Sequence, residues 1–370
     1  MDLASLRRAT LRRESERDGR ERVQPCIILA MRIGLTFDIQ DHPASEAQAE
    51  FDRPETLAAL TRALALHGHE VVPLGSARRL LDEPASARGV DLVFNIAEGA
   101  GMRCREAWAP VILEQLGVPY VGSGPLALAI GLDKVMCKRL ALASGMRTPR
   151  WISVDQPTAH VDVSELRFPL IVKPRWEGSA MGIDAGAVVC NLESLHERLR
   201  AMADRLSQLL LWSEPRLRPQ PLLVEEFIPF GELTVCVIGN DPPVAYPAIQ
   251  RPIEPASRLG YHVVERGAHN ALSWEAPVEL TTELDAEARR LALVIFEAVG
   301  CRDMARVDFR VDAGGQLFFL EINPLPSFDP EGSIGLLAEY LGLRYADLIQ
   351  QIVSAACRRL AGSPTGSPTP

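Results

Sequence analysis

The chain has 370 residues, 47% hydrophobic and 24% charged, proportions that exclude a chain disordered throughout and suit about two or three globular domains. Its 39 Lys and Arg against 48 Asp and Glu give a net charge of −9, which argues against a nucleic-acid partner held by a basic surface. No apolar run reaches the ~18 residues of a membrane span, and seven scattered cysteines without a CxxC pair read as reduced thiols of a cytoplasmic protein.

Residues 1–30 are expected to form a disordered extension. Its arginines (Arg7, Arg8, Arg12, Arg13, Arg17, Arg20, Arg22) alternate with Glu14, Glu16, Asp18 and Glu21, whereas targeting peptides are poor in acids. Met31 opens the first strand, Ile33–Phe37. Pro54 at a first turn predicts a helix to Gly68. Strands follow at Val71–Pro73 and Asp91–Asn95, then a helix from Glu106 that stops at Gly117. This βαβ rhythm predicts a parallel sheet with helices on both faces over 31–125. Gly122–Pro125 reads as a linker, and 126–215 as a second unit with a helix Asp133–Ser144, a strand Phe168–Lys173 and a helix around Leu192–Arg205. The proline-bearing stretch Trp212–Pro221 predicts a boundary. The third unit, 216–360, takes strands Leu222–Phe227, Leu233–Ile238 and Val244–Ile249, a helix Asp285–Gly300 and a late hairpin. Residues 361–370 form a low-complexity tail, and no internal repeat occurs.

The hairpin carries the most chemistry. Arg306, Asp308, Arg310 and Asp312 alternate with Val307, Phe309 and Val311, so they share one face. A two-residue turn at Gly314–Gly315 sets Arg306 opposite Asn323 and Asp308 opposite Glu321. Facing carboxylates destabilise a sheet, so a positive charge is expected between them. Two carboxylates and an amide oxygen suit Mg²⁺ (or Mn²⁺), which takes few protein ligands and shares the rest with phosphate. A solvated charged face is the alternative. A second feature is Lys173, ending an apolar strand before Glu177-Gly178-Ser179-Ala180-Met181-Gly182, whose backbone N–H groups could approach phosphate oxygens. There is neither a Walker A loop nor a GxGxxG. A third is Val224-Glu225-Glu226-Phe227-Ile228 followed by Gly231-Glu232. This strand, break, strand pattern could offer main-chain groups to a planar ring and a carboxylate to ribose.

The runs FPLIVKPRWEGSAMGI, VEEFIPFGELTV and ARVDFRV…LFFLEINPLPSF, with DLVFNIAEG and GVPYVGSGPLALAIGLDKVMCKRLALASGMRTP before them, resemble the ATP-grasp superfamily and most closely the D-alanine–D-alanine ligase group. The likeness covers residues 31–355. It implies an α/β fold in which a Rossmann-like N-terminal domain precedes two subdomains gripping ATP. It also implies ADP-forming ligation of a carboxylate to an amine through an acyl phosphate, in an enzyme that is often a homodimer. By resemblance, Lys134 and Lys173 contact ATP phosphates and Ser179 lies in the phosphate loop. Glu225, Phe227 and Ile228 hold adenine, and Glu232 the ribose. Asp308, Glu321 and Asn323 bind magnesium, and Arg306 stabilises the tetrahedral intermediate.

On the amino-acid side the pattern departs from the group. The glutamate expected after the first strand has no clear match in DIQDHPASEAQAEFDRPET. Glu98 replaces a histidine in FNIAEG, and a serine falls on Gly332 with Ser333 adjacent. Tyr261 and Arg266 lie near the usual Lys-Tyr pair without matching it. Arg103 and Arg105 are candidates to grip a substrate carboxylate, or solvated loop charges. Three readings stay open: a D-alanine–D-alanine ligase, a related ligase attaching an amino acid to a peptide or metabolite such as a mycosporine-type compound, and an inactive nucleotide-binding regulator.

Overall fold

The computed structural model describes residues 29–42, 48–100, 103–155, 161–178, 181, 183–184, 186–209, 221–250 and 280–362. The expected N-terminal extension up to residue 28, Ser179, Tyr261, Arg266 and the tail beyond residue 362 lie outside them.

The first unit alternates β1 (Arg32–Phe37), α1 (Pro54–Leu66), β2 (Glu70–Gly75), α2 (Ala77–Asp82), α3 (Pro84–Arg88), β3 (Leu92–Ile96), α4 (Trp108–Leu116) and β4 (Tyr120–Val121). The strands pair in parallel in the order β2-β1-β3-β4. Near-continuous apolar strands such as β3 require cover on both faces. Leu60, Ala63 and Leu64 of α1 cover one, and Leu80 of α2 with Leu113 of α4 the other. Gly117 ends α4 at φ 67°, as expected of a left-handed cap.

The predicted linker at Gly122–Pro125 instead leads straight into α5 (Pro125–Leu132), with Pro125 preset for a first turn. Then come α6 (Lys134–Ala143), β5 (Trp151–Val154), β6 (Leu170–Pro174), β7 (Val188–Val189), α7 (Leu192–Leu209) and β8 (Leu222–Glu226). The second sheet has the order β5-β8-β6-β7. Strand β8, which the sequence reading gave to the third unit, therefore belongs here. It pairs antiparallel with both β5 and β6, and the chain leaves the sheet only at the break after Glu226.

The third sheet comprises β9 (Phe230–Ile238), β10 (Val244–Ala245), β11 (Ile249–Gln250), β12 (Met304–Val311) and β13 (Leu317–Asn323). The single strand expected over Val244–Ile249 is two short ones. Helix α8 (Thr282–Val299) covers this sheet, and so do Ala127 of α5 with Cys137 and Ala141 of α6. Helices α9 (Ser333–Tyr340) and α10 (Tyr345–Gly362) finish the described chain. Leu348, Ile349, Ile352 and Val353 of α10 share a core with Ile33, Leu35 and Phe94 of the first sheet, so the end of the chain closes the beginning.

The hairpin corrects one expectation and keeps its consequence. The turn holds three residues, Ala313–Gly315, closed by Asp312 N–H to the Gln316 carbonyl, with Gly315 at φ 77°. It sets Val311 opposite Leu317 and Phe309 opposite Phe319. A bulge at Leu320 then shifts the register, restoring Asp308 opposite Glu321 and Arg306 opposite Asn323. It also lets Phe319 pack edge-on against Phe309 in the core while Glu321, two residues on, faces the other way.

Two buried polar joints tie the units. Asp303, fully buried at φ 66°, accepts from Gly122 N–H, Asn240 Nδ2 and Arg359 Nε and Nη2 at 2.7–2.9 Å. His69 accepts the Met31 N–H at Nδ1 and faces Gln350 Oε1 at 3.0 Å through Nε2, which requires the neutral Nε2–H tautomer.

Arg359→Met strands the Asp303 carboxylate without its counter-charge and is expected to cost about 3–5 kcal/mol, read as a lower urea midpoint. Burial holds the His69 pKa below the ordinary histidine value. The unfolded chain then takes up the proton first as pH falls, so this stabilisation is complete above about pH 6.5 and declines below it. In His69→Asn, whose Oδ1 can still accept from Met31, the urea midpoint should fall less steeply between pH 7 and 5.5 than in the wild type.

Candidate functional site

A cleft whose empty space, open mouth included, is about 900 Å³ lies between the second and third sheets. Its walls carry Lys134, Lys173, Glu177, Gly178, Glu225, Phe227, Ile228, Glu232, Arg306, Asp308, Arg310 and Glu321. Asn323 pairs with Arg306 on the same hairpin, and its Oδ1 accepts the Leu325 N–H at 3.0 Å.

The floor is the hairpin. Asp308 is 4% exposed, with Oδ1 accepting from Thr234 Oγ1 at 2.7 Å and Oδ2 from Arg306 Nε at 3.0 Å. Glu321 meets Lys134 Nζ at 3.1 Å and Arg306 Nη2 at 3.9 Å. The positive charge expected between the carboxylates is thus supplied in part by the protein itself. Burial and the neighbouring Glu321 push the Asp308 pKa up, against the pull of Arg306. Burial alone would raise Glu321 too, but Lys134, Lys173 and Arg306 hold it well down. Ionised oxygens on paired strands beside an amide oxygen are the donor set a small hard cation takes, so these residues fit magnesium.

Lys134 reaches the floor because α5 lies flush on the end of β13. A Cβ on Gly131 would sit 2.4 Å from Pro324 Cδ, so only glycine allows this approach. Asp133 then caps α6, accepting from Val135 and Met136 N–H, and also pairs with Arg175 through Nε and Nη2 at 2.8 Å. Burial would raise its pKa, yet Arg175 and Arg103 keep it below the ordinary value. Asp133 therefore fixes both Lys134 and the segment after Lys173, a role its helix position gave no sign of.

Glu225 is held by two lysines, Lys173 Nζ at 2.6 Å on one oxygen and Lys138 Nζ at 2.6 Å on the other. Ile171 stands opposite Glu225 in the ladder, so Lys173 reaches it diagonally on the same face. The Glu225 pKa falls although burial opposes it. Lys138 is fully enclosed, and burial pulls its pKa down to about 8 against the opposing pull of Glu225. It also bonds Thr148 Oγ1 at 2.8 Å, which donates to the Phe319 carbonyl at 2.9 Å. A polar chain thus runs from Lys173 of one sheet through Glu225, Lys138 and Thr148 to the carboxylate-bearing strand of the other. The signal for Lys138 was its place one turn after Lys134. At the far wall Arg310 donates to the Ile228 carbonyl, pairs with Glu232 and lies over the Phe227 ring.

On the side of the first sheet, Arg105 is 4% exposed and not a solvated loop charge. Its guanidinium contacts Glu50, Glu177 at 3.0 Å and the Trp176 carbonyl at 2.9 Å, so it balances acids within the protein. Arg103 pairs with Asp133 and lies over Trp176. Glu98 sits near Glu106, Glu50 and Asp52, and burial with these neighbours raises its pKa well above normal. Glu50, which accepts Gly178 N–H at 2.5 Å, went unnoticed because it lies in an irregular segment without periodicity. Ser333 is buried beside the Cys236 thiol at the first turn of α9.

Comparisons with known proteins agree with this geometry. The family described as D-ala D-ala ligase C-terminus matches residues 141–354. A D-alanine–D-alanine ligase of Cupriavidus necator is 32% identical over 273 residues, 73% of this chain and 77% of its own. An uncharacterised protein of Sinorhizobium fredii is 32% identical over 304 residues, 78% of this chain and 82% of its own. The crystal structure of the Bacillus anthracis D-alanine–D-alanine ligase complexed with ATP superposes with a TM-score of 0.66 at 22% identity, covering 90% of this chain and 99% of that one. The fold is an ATP-grasp fold. The chain belongs to the D-alanine–D-alanine ligase family and is an ATP-dependent carbon–nitrogen ligase of the ADP-forming class.

Glu225→Gln leaves Lys138 and Lys173 facing each other in a dry site and should lower stability by about 3–5 kcal/mol. Adding Lys138→Met should restore part of that loss in urea unfolding; no restoration would break the proposed pairing.

Proposed function

We propose that this protein joins an amino-acid or peptide carboxylate to an amine through an acyl phosphate. The observation that carries this reading is the Asp308–Glu321 pair, set in register across the hairpin and surrounded by Lys134, Lys173 and Arg306. A carboxylate is a poor electrophile. Its oxygen attacks the γ-phosphorus of ATP and ADP leaves; the amine then attacks the acyl carbon, phosphate departs, and the amine's surplus proton is released. The protein contributes positioning and neutralisation of negative charge. Lys134 and Lys173 bind phosphate oxygens, with Ser179 in the phosphate loop. Phe227 and Ile228 receive the base beside Glu225, and Glu232 takes the ribose hydroxyls. Arg306 faces the negative charge that develops on the oxygen of the tetrahedral intermediate. Asp308, Glu321 and Asn323 would hold Mg²⁺, which when bound neutralises phosphate charge.

A second reading, ligation of an amino acid to a different small metabolite, is favoured by the acids Glu50, Glu98 and Glu106 around Arg105. Such a lining suits an ammonium-bearing substrate, with Arg103 and Ser333 as the candidates for its carboxylate. Among the described residues no helix is long and apolar enough to cross a membrane. We take the protein to act in the cytoplasm, with a homodimer as its expected assembly and neither nucleic acid nor membrane as a partner.

Phosphate release with ATP, Mg²⁺ and a panel of amino-acid pairs separates the readings. Release with D-alanine alone supports a D-alanine–D-alanine ligase, and release with other pairs supports the second reading. ATP binding with no release for any pair would overturn the proposed ligation of amino-acid or peptide carboxylates. Asp308→Asn is expected to slow release by roughly a hundredfold or more; a wild-type rate would refute the metal assignment.

A further inference from the structure

One buried cation in the cleft has no part in the steps above. Arg310 is 6% exposed on the cleft face of β12, two residues beyond Asp308. Contacts of different kinds meet at its guanidinium. Nη1 donates to the Ile228 carbonyl at 2.9 Å, Nη2 pairs with Glu232 Oε2 at 3.1 Å, and the guanidinium carbon lies 5.0 Å from the centre of the Phe227 ring. Phe227, Ile228 and Glu232 are the groups assigned above to base and ribose. They belong to the break after β8 and the start of β9, so local backbone structure alone does not fix them relative to one another. Glu232 stands opposite Arg310 in the β9–β12 ladder, and from that position the planar fork spans both segments. A lysine offers a point charge to the carboxylate but lacks the planar fork that spans a carboxylate and a carbonyl while lying over a ring.

The geometry points to Arg310 as the positioning residue of the nucleotide site. It fixes the direction of the Glu232 carboxylate toward the ribose hydroxyls and holds the Phe227–Ile228 main chain against the base. This inference rests on the nucleotide reading above. Its chemical consequence is specific. A carboxylate held in one orientation distinguishes a ribose with its 2′-hydroxyl from a deoxyribose, whereas one free to rotate loses much of that distinction. Arg310 has no role in the phosphate chemistry, so its loss should act on nucleotide affinity and sugar discrimination together.

The test is equilibrium binding of ATP and 2′-deoxy-ATP, with Mg²⁺, to the full chain by calorimetry. Wild type should prefer ATP by roughly tenfold, the worth of one hydrogen bond to a charged group. Arg310→Met should weaken ATP by about tenfold and 2′-deoxy-ATP less, so that the preference shrinks toward one. Arg310→Lys should fall between the two. Arg310→Met added to Glu232→Gln should not change the preference further, because both act through the same carboxylate. A folded Arg310→Met protein that keeps the wild-type preference, or loses both nucleotides equally, overturns the inference. If that variant does not fold, unchanged ATP affinity in Arg310→Lys overturns it instead. A wild-type protein that binds neither nucleotide sinks the nucleotide reading itself, while one that binds both equally sinks only the role of Glu232 and of Arg310 behind it.

Discussion

The structure is organised around one electrostatic conflict, two carboxylates facing each other across a hairpin with little water between them. Unrelieved, Asp308 and Glu321 would push the strands apart or protonate. Relief comes from one neighbour on the strand and from two elements distant in sequence. Lys134 arrives at the start of α6, Arg306 from the same strand, and Lys173 from the end of β6 in another sheet. Keeping those cations in place explains much of the nearby architecture. Asp133 caps α6 and grips Arg175, Glu225 divides its oxygens between two lysines, and Gly131 lets α5 lie against the end of β13.

Charge balance is also what separates the two sides of the cleft. Between the second and third sheets, Asp308, Glu321, Glu225 and Glu232 each have a cation in contact. Toward the first sheet, Glu50, Glu98 and Glu106 crowd around Arg105, and burial raises the pKa of both Glu98 and Glu106. The first environment is ready for polyanions and a metal ion. The second is poor in positive charge and better matched to a substrate that brings its own.

Much of this was legible in the sequence because it followed from period and punctuation. The alternation in Met304–Asp312 placed Arg306 and Asp308 on one face, Pro54 and Gly117 marked helix ends, and the βαβ rhythm gave the parallel sheet. What stayed hidden depended on contacts between distant segments. Strand β8 has the composition of any apolar strand, and nothing local says which sheet will pair with it. Glu50 lies in an irregular stretch, and Lys138 looks like a surface lysine until Glu225 and Thr148 close around it. Arg105 suited a substrate clamp or a solvated charge equally well, because its partners come from positions 50 and 177. The turn was read as two residues from its glycines, and only Gly315 has the positive φ that a tighter turn demands of both.

The bulge at Leu320 separates two requirements that a regular strand would bind together. In strict alternation Phe319 and Glu321 would share a side, forcing either an aromatic ring into the solvent-facing groove or an acid into the oil. One surplus residue gives each its own half of the sheet. The loop at the tip and the carboxylates at the base are therefore set by separate local geometry. Lengthening or shortening Ala313–Gly315 over evolutionary time could be absorbed at that irregularity, leaving the chemistry a few residues below undisturbed.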